Sequence, residues 1–128
     1  MDKNRQTILI VEDDEIILDI FTRIFQKEFN VISCSRVESF YESVKSSKVD
    51  LFLMDMALSS DKNGIDLITE LRKTEEHKDT PIVVVSAHSY IRDERLALAA
   101  GATKYIRKPT ENKYLVTEVK KVLQNNRS

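Results

Sequence analysis

Thr7-Ile8-Leu9-Ile10-Val11, followed without a break by Glu12-Asp13-Asp14-Glu15, is the stretch on which the fold turns. A short apolar, β-branched run with no polar alternation reads as a strand covered on both faces, and the acids after it mark where the chain leaves the sheet. The same pattern recurs at Leu51 to Met54, which runs into Asp55, and at Ile82 to Val85, which runs into Ser86. Weaker runs at Val31 to Ser33 and at Tyr105 to Ile106 complete a set of five, the last leading into Lys108-Pro109.

Helical stripes lie between these runs. Ile16, Ile17, Ile20, Phe21, Ile24 and Phe25 recur at three- and four-residue steps, as do Val37, Phe40, Tyr41 and Val44, which places each set on one helix face. Ser35 with Glu38 predicts a capping box at the start of the second helix. Ile65, Ile68 and Leu71 predict a third helix, Ile91 to Ala100 a fourth ended by Gly101, and Tyr114, Leu115, Val119, Val122 and Leu123 a fifth. Five strand-then-helix repeats require right-handed crossovers, so the expected fold is doubly wound α/β, a five-stranded parallel sheet between helices.

Composition narrows the function. The chain has 128 residues, 41% of them apolar, and a formal charge of -1. That suits one globular domain; the balanced charge offers no field for a nucleic-acid backbone, and no run approaches the roughly 18 apolar residues of a membrane span. Cys34 is the one cysteine and is expected to pack as a small apolar residue; His77 and His88 are expected to be solvated. The polar start, Met1 to Gln6, reads as neither signal peptide nor anchor, so the expected location is the cytoplasm.

In an open parallel sheet, ligands bind beyond the carboxyl ends of the strands. There the sequence places Glu12, Asp13, Asp55, Ser86 and Lys108. Converging carboxylates repel unless neutralised, and a hard divalent cation, Mg²⁺ or alternatively Mn²⁺, suits a few such oxygens. Asp14 and Glu15 read instead as the cap and first turn of the next helix. Asp55 directly follows the apolar Leu51 to Met54 and is the leading reactive residue, a carboxylate nucleophile able to form an acyl phosphate. Lys108 would supply a second cation, and the Ser86 hydroxyl with the Ala87 N–H would donate to phosphoryl oxygens.

Taken together, ILIVEDDE at 8 to 15, LFLMD at 51 to 55, PIVVVSA at 81 to 87 and GATKYIRKP at 101 to 109 resemble the CheY-like receiver domains of two-component response regulators, over nearly the whole chain. The resemblance implies one receiver domain over residues 1–128, a CheY/flavodoxin-like sheet of order 2-1-3-4-5, and phosphorelay signalling rather than metabolic catalysis. It implies Asp55 as phosphoacceptor fed by a sensor histidine kinase or phosphotransfer protein, and Glu12, Asp13, Asp55 and the Ala57 backbone carbonyl at the metal. Ser86 and Tyr105 match the switch pair, Lys108 the phosphoryl-holding lysine, and the Lys108 to Pro109 bond is expected to be cis. Such a domain promotes its own phosphorylation and dephosphorylation, and its responsive face is the fourth helix, fifth strand and fifth helix, open to a downstream partner or an output domain.

The chain departs from the family pattern in three ways. Ala57 and His88 stand where receivers tune phosphoryl lifetime, so an altered hydrolysis rate is expected; equal lifetimes in wild type and Ala57→Asn would refute a role for position 57. The segment Ala57 to Asn63 lacks the common Pro and is one residue longer before Gly64, and Thr110 replaces a usual apolar residue. A flavodoxin-like cofactor protein would need a Gly/Ser/Thr-rich loop where this chain has acids. The alternative within the family is a degenerate receiver acting as a phosphorylation-independent interaction module, which should have lost an acid, the acceptor or the lysine; all are present.

Overall fold

The chain passes from β1 (Thr7–Val11) through α1 (Glu15–Phe25) to β2 (Asn30–Cys34), then through α2 (Val37–Ser46) back across to β3 (Leu51–Met54). From there α3 (Gly64–Arg72), β4 (Ile82–Ser86), α4 (Ile91–Ala100), β5 (Lys104–Arg107) and α5 (Asn112–Asn125) follow in turn. This is a computed structural model, and it describes residues 2–55, 62–87 and 91–125. All neighbouring strands pair in parallel in the order β2-β1-β3-β4-β5. The expected fold and strand order are therefore those observed.

Alternation along the central strands divides the core between two faces. Ile8, Ile10, Leu51, Leu53, Val83 and Val85 meet Phe21 and Phe25 of α1 and Leu115 and Val119 of α5. Leu9, Val11, Phe52, Met54, Ile82 and Val84 meet Phe40 of α2, Leu67, Ile68 and Leu71 of α3 and Ala97 of α4. Cys34 is buried with this second group, as its expected apolar role requires.

Register also sets the functional edge. Val11 lies opposite both Cys34 and Met54, so the next residues, Glu12 and Asp55, leave the sheet side by side. Ser86 lies opposite Arg107, so Lys108 emerges one step beyond it.

Four local expectations need correction. The Ser35–Glu38 box does not form: α2 begins at Val37 with Arg36 as its N-cap and no side-chain cap bond, which leaves Glu38 one position short of the third-residue site a capping box needs. The box that does form joins Asn63 to Asp66 at the start of α3. On α1, Ile16 and Ile20 are 75% and 42% exposed, because Leu18, Phe21 and Phe25 are the residues turned inward on a helix apolar nearly all round. Tyr114 of α5 is half exposed for the same kind of reason, lying off the Leu115, Val119, Val122 and Leu123 stripe.

His77 is the fourth. It is buried rather than solvated: its ring sits edge-on to Phe52 at 5.0 Å, its Nδ1 lies 3.0 Å from the Thr80 hydroxyl, and its Nε2 has no hydrogen-bond partner. The cause is Arg72 at the end of α3, whose guanidinium donates to the carbonyls of His77, Thr80 and Gly101 at 2.7–2.9 Å and draws the loop onto the sheet. Gly101 is required there: its φ is +123°, and a Cβ would meet the Arg72 side chain at 2.6 Å.

Candidate functional site

Two carboxylates and an ammonium meet beyond the strand ends. Glu12 is held where the Glu12 N–H donates to the Cys34 carbonyl at 3.0 Å, and Asp55 where its N–H donates to the Val11 carbonyl at 3.0 Å, each bond extending the ladder by one residue. Both side chains are almost fully buried. The Lys108 backbone N–H donates to the Ser86 carbonyl at 2.8 Å, and its Nζ reaches Asp55 Oδ2 at 2.6 Å and Glu12 Oε1 at 3.2 Å. The Lys108–Pro109 bond is cis, as expected.

Charge is unevenly compensated at this edge. Burial, together with a hydrogen bond to Asp55 and that group's charge, pushes the Glu12 carboxyl up to about 8, against the opposing pull of Lys108. Burial works against the Lys108 ammonium too, but Asp55 and Glu12 outweigh it and raise its proton affinity. Two buried carboxylates in conflict are a donor set of hard oxygens, suited to a divalent cation that would relieve the conflict. Among the described residues no three acidic, histidine or cysteine side chains form a ready-made metal cluster, and Asp13, next to Glu12 in the chain, is half-buried.

Asp14 takes the capping role expected of it, accepting from Ile16 N at 2.9 Å and Ile17 N at 3.2 Å. Ser86 is fully buried at the end of β4, with the exposed Ala87 next in the chain. Tyr105 on β5 is half-buried against the Phe52 side of the core, between Lys104 and Ile106, which point to the other face. Ala57 and His88 lie outside the described residues.

The response regulator receiver domain family profile matches residues 8–120. The chain belongs to that family. The receiver is 32% identical to the transcriptional regulatory protein CpxR of Escherichia coli over 118 residues, covering 91% of this chain and 49% of that protein. It is 34% identical to the DNA-binding response regulator MtrA of Mycobacterium tuberculosis over 127 residues, covering 98% of this chain and 54% of that protein. It thus spans about half the length of the curated relatives it matches. In three dimensions it is similar to a CheY-like response regulator receiver domain protein from Methanospirillum hungatei, with a TM-score of 0.88 at 25% identity over 97% of this chain and 98% of that one.

Receiver domains generally use Mg²⁺ and a histidine kinase partner, and the donor set here fits the metal. Among the described residues no helix is long and apolar enough to cross a membrane.

One feature of the receiver's site was missed from sequence. An apolar cleft of about 470 Å³ is lined by Ile17, Ile20, Phe21, Ala87, Lys108 and Pro109, among others. The surplus of isoleucines on α1 was the available signal, since a helix with more apolar residues than one face can bury must expose some.

Proposed function

We propose that Asp55 is the receiver's phosphoacceptor. The observation that carries this is the Lys108 ammonium bridging two nearly buried carboxylates, 2.6 Å from Asp55 and 3.2 Å from Glu12, at the ends of β5, β3 and β1. A carboxylate so placed is oriented for attack, while Lys108 stands ready to hold a transferred phosphoryl oxygen.

In the step proposed, an Asp55 carboxylate oxygen attacks the phosphorus of a partner's phosphohistidine in line. An O–P bond forms, the N–P bond breaks, and its electron pair stays on the imidazole nitrogen, which takes up a proton. Mg²⁺, held by Glu12, Asp13, Asp55 and the Ala57 carbonyl, would supply positive charge to the phosphoryl oxygens when bound. Lys108 exchanges its Asp55 contact for a phosphoryl oxygen, and the Ser86 hydroxyl and Ala87 N–H donate to the others. Ser86 moving toward the phosphoryl group opens space for Tyr105, which turns inward and reshapes α4, β5 and α5. A downstream partner or an output domain reads that face.

The apolar cleft beside Lys108 is where the phosphohistidine-bearing domain docks, because it is the apolar surface continuous with the acceptor's own lysine. Retention of Glu12, the acceptor and the lysine in one cluster favours an active receiver over a phosphorylation-independent module.

The test is chemical. An acyl phosphate is reduced by borohydride to an alcohol, so acetyl phosphate, Mg²⁺ and borohydride should convert Asp55 to homoserine, located by peptide mass. Conversion at another carboxylate, or none, would overturn the assignment.

A further inference from the structure

Glu12 meets Lys108 through one carboxylate oxygen, and its other oxygen is held by the start of α1. Oε1 lies 3.2 Å from the Lys108 ammonium, while Oε2 accepts from the Asp14 backbone N–H at 3.3 Å. Asp14 is fixed in turn by its own side chain. As the N-cap of α1, with extended backbone, it accepts from Ile16 N at 2.9 Å and Ile17 N at 3.2 Å through a single oxygen, Oδ1. One path of hydrogen bonds therefore runs from the helix cap through Glu12 and Lys108 to Asp55, whose Oδ2 is 2.6 Å from that ammonium. It begins at an exposed residue and ends at nearly buried ones, where little water can replace a lost donor.

We propose that Asp14 is a positioning residue for phosphoryl transfer: the cap it makes on α1 aims its own N–H at Glu12, and Glu12 steadies the Lys108 ammonium beside Asp55. This rests on the phosphoacceptor reading above and gives Asp14 no contact with the phosphoryl group. Without the cap bonds the first turn of α1 loosens, and the Asp14 N–H no longer holds one direction. Glu12 and Lys108 then occupy the arrangement seen here only part of the time, and the rate falls with the fraction of molecules that keep it.

Two simpler roles make different predictions. If Asp14 acted through its negative charge near the acidic edge, Asp14→Asn would behave like Asp14→Ala. Asn and Ser cap helices about as well as Asp, so a positioning role predicts that both keep the wild-type rate while Ala loses it. If Asp14 served only the stability of α1, weakening that helix elsewhere would have the same effect. Asp19, exposed farther along α1 and paired there with Arg23, lies outside the path, and Asp19→Gly weakens the same helix without touching the cap.

The initial rate of acetyl phosphate labelling at saturating Mg²⁺, followed by intact mass on the whole chain, tests this, with urea unfolding to establish that each variant is folded. A small donor needs no docking, so the cleft wall at Ile17 does not enter the rate. The expected result is a rate lowered about two- to tenfold in Asp14→Ala and within about 1.5-fold of wild type in Asp14→Asn, Asp14→Ser and Asp19→Gly. A wild-type rate in Asp14→Ala, or an equal loss in Asp14→Asn or Asp19→Gly, would overturn the positioning role and leave the acceptor assignment standing. No labelling of wild type would overturn the phosphoacceptor reading itself, and the role of Asp14 with it.

Discussion

The two ends of one sheet treat their charges in opposite ways. At the amino end of β4, Arg72 gives its guanidinium donors to three backbone carbonyls, and every contact lowers the energy of the fold. At the other end, Glu12 and Asp55 are pressed together in a buried setting with Lys108 between them, and Glu12 is pushed up to about 8. The comparison teaches that the polar residues stabilising this domain and those equipping it for chemistry are spatially separate. The functional end holds a conflict that a cation can resolve.

Breaking the stabilising end should cost most. Arg72→Met leaves the His77, Thr80 and Gly101 carbonyls without their charged donor, and a loss of about 2–4 kcal/mol in urea unfolding is expected, with phosphorylation of the surviving folded fraction intact. Gly101→Ala should lose about 2 kcal/mol or more by forcing a side chain into a positive-φ turn already filled by Arg72.

The functional end should respond with the reverse sign. With its carboxyl pushed up to about 8, Glu12 must take up a proton as the chain folds at pH 7, a cost that Glu12→Gln avoids while Lys108 keeps Asp55, so in metal-free buffer at pH 7 the variant should be about 1–2 kcal/mol more stable than wild type, yet weaker in Mg²⁺ binding. A loss of stability in that variant would dissolve the contrast between the two ends.

His77 sharpens it on the pH axis. Burial lowers its proton affinity below the ordinary value of 6.5, with Glu76 opposing and Arg72 adding to the shift. The folded state therefore disfavours the charged ring: the stability contributed by neutral His77 is present above about pH 6.5 and is lost as pH falls through the lower folded value. Between pH 7 and 5, wild type should lose more stability than His77→Phe, measured as the difference between their stability–pH curves.

The smallest effect on folding is expected at Ile20, 42% exposed on α1. Ile20→Ser should stay within about 0.5 kcal/mol of wild-type stability and leave acetyl phosphate labelling unchanged. Transfer from a phosphohistidine domain should nevertheless slow, because the docking cleft loses apolar surface.

How much of this was written in the sequence follows the range of each interaction. Thr7–Val11, Leu51–Met54 and Ile82–Val85 were legible because strands buried on both faces need unbroken apolar runs, and Glu12, Asp55 and Lys108 because each stands at or just beyond the end of such a run. The α2 cap was misread since a helix start is a one-residue decision between Ser35 and Arg36. The inward face of α1 was blurred because six apolar residues fit more than one orientation. Arg72 and His77 were invisible for a different reason: a bond from Arg72 to a carbonyl at Gly101 leaves no periodicity to read. The contacts of Glu70 with Lys62 and Tyr41 escaped likewise.

The central claim is that the buried acid–lysine cluster makes Asp55 an acceptor. Intact-mass analysis after incubation with acetyl phosphate tests it most directly, comparing wild type with Mg²⁺, wild type without metal, and Asp55→Asn with Mg²⁺. The account predicts a gain of one phosphoryl mass in the first sample and none in the other two. Equal labelling of Asp55→Asn, or no labelling of wild type with Mg²⁺ present, would contradict it.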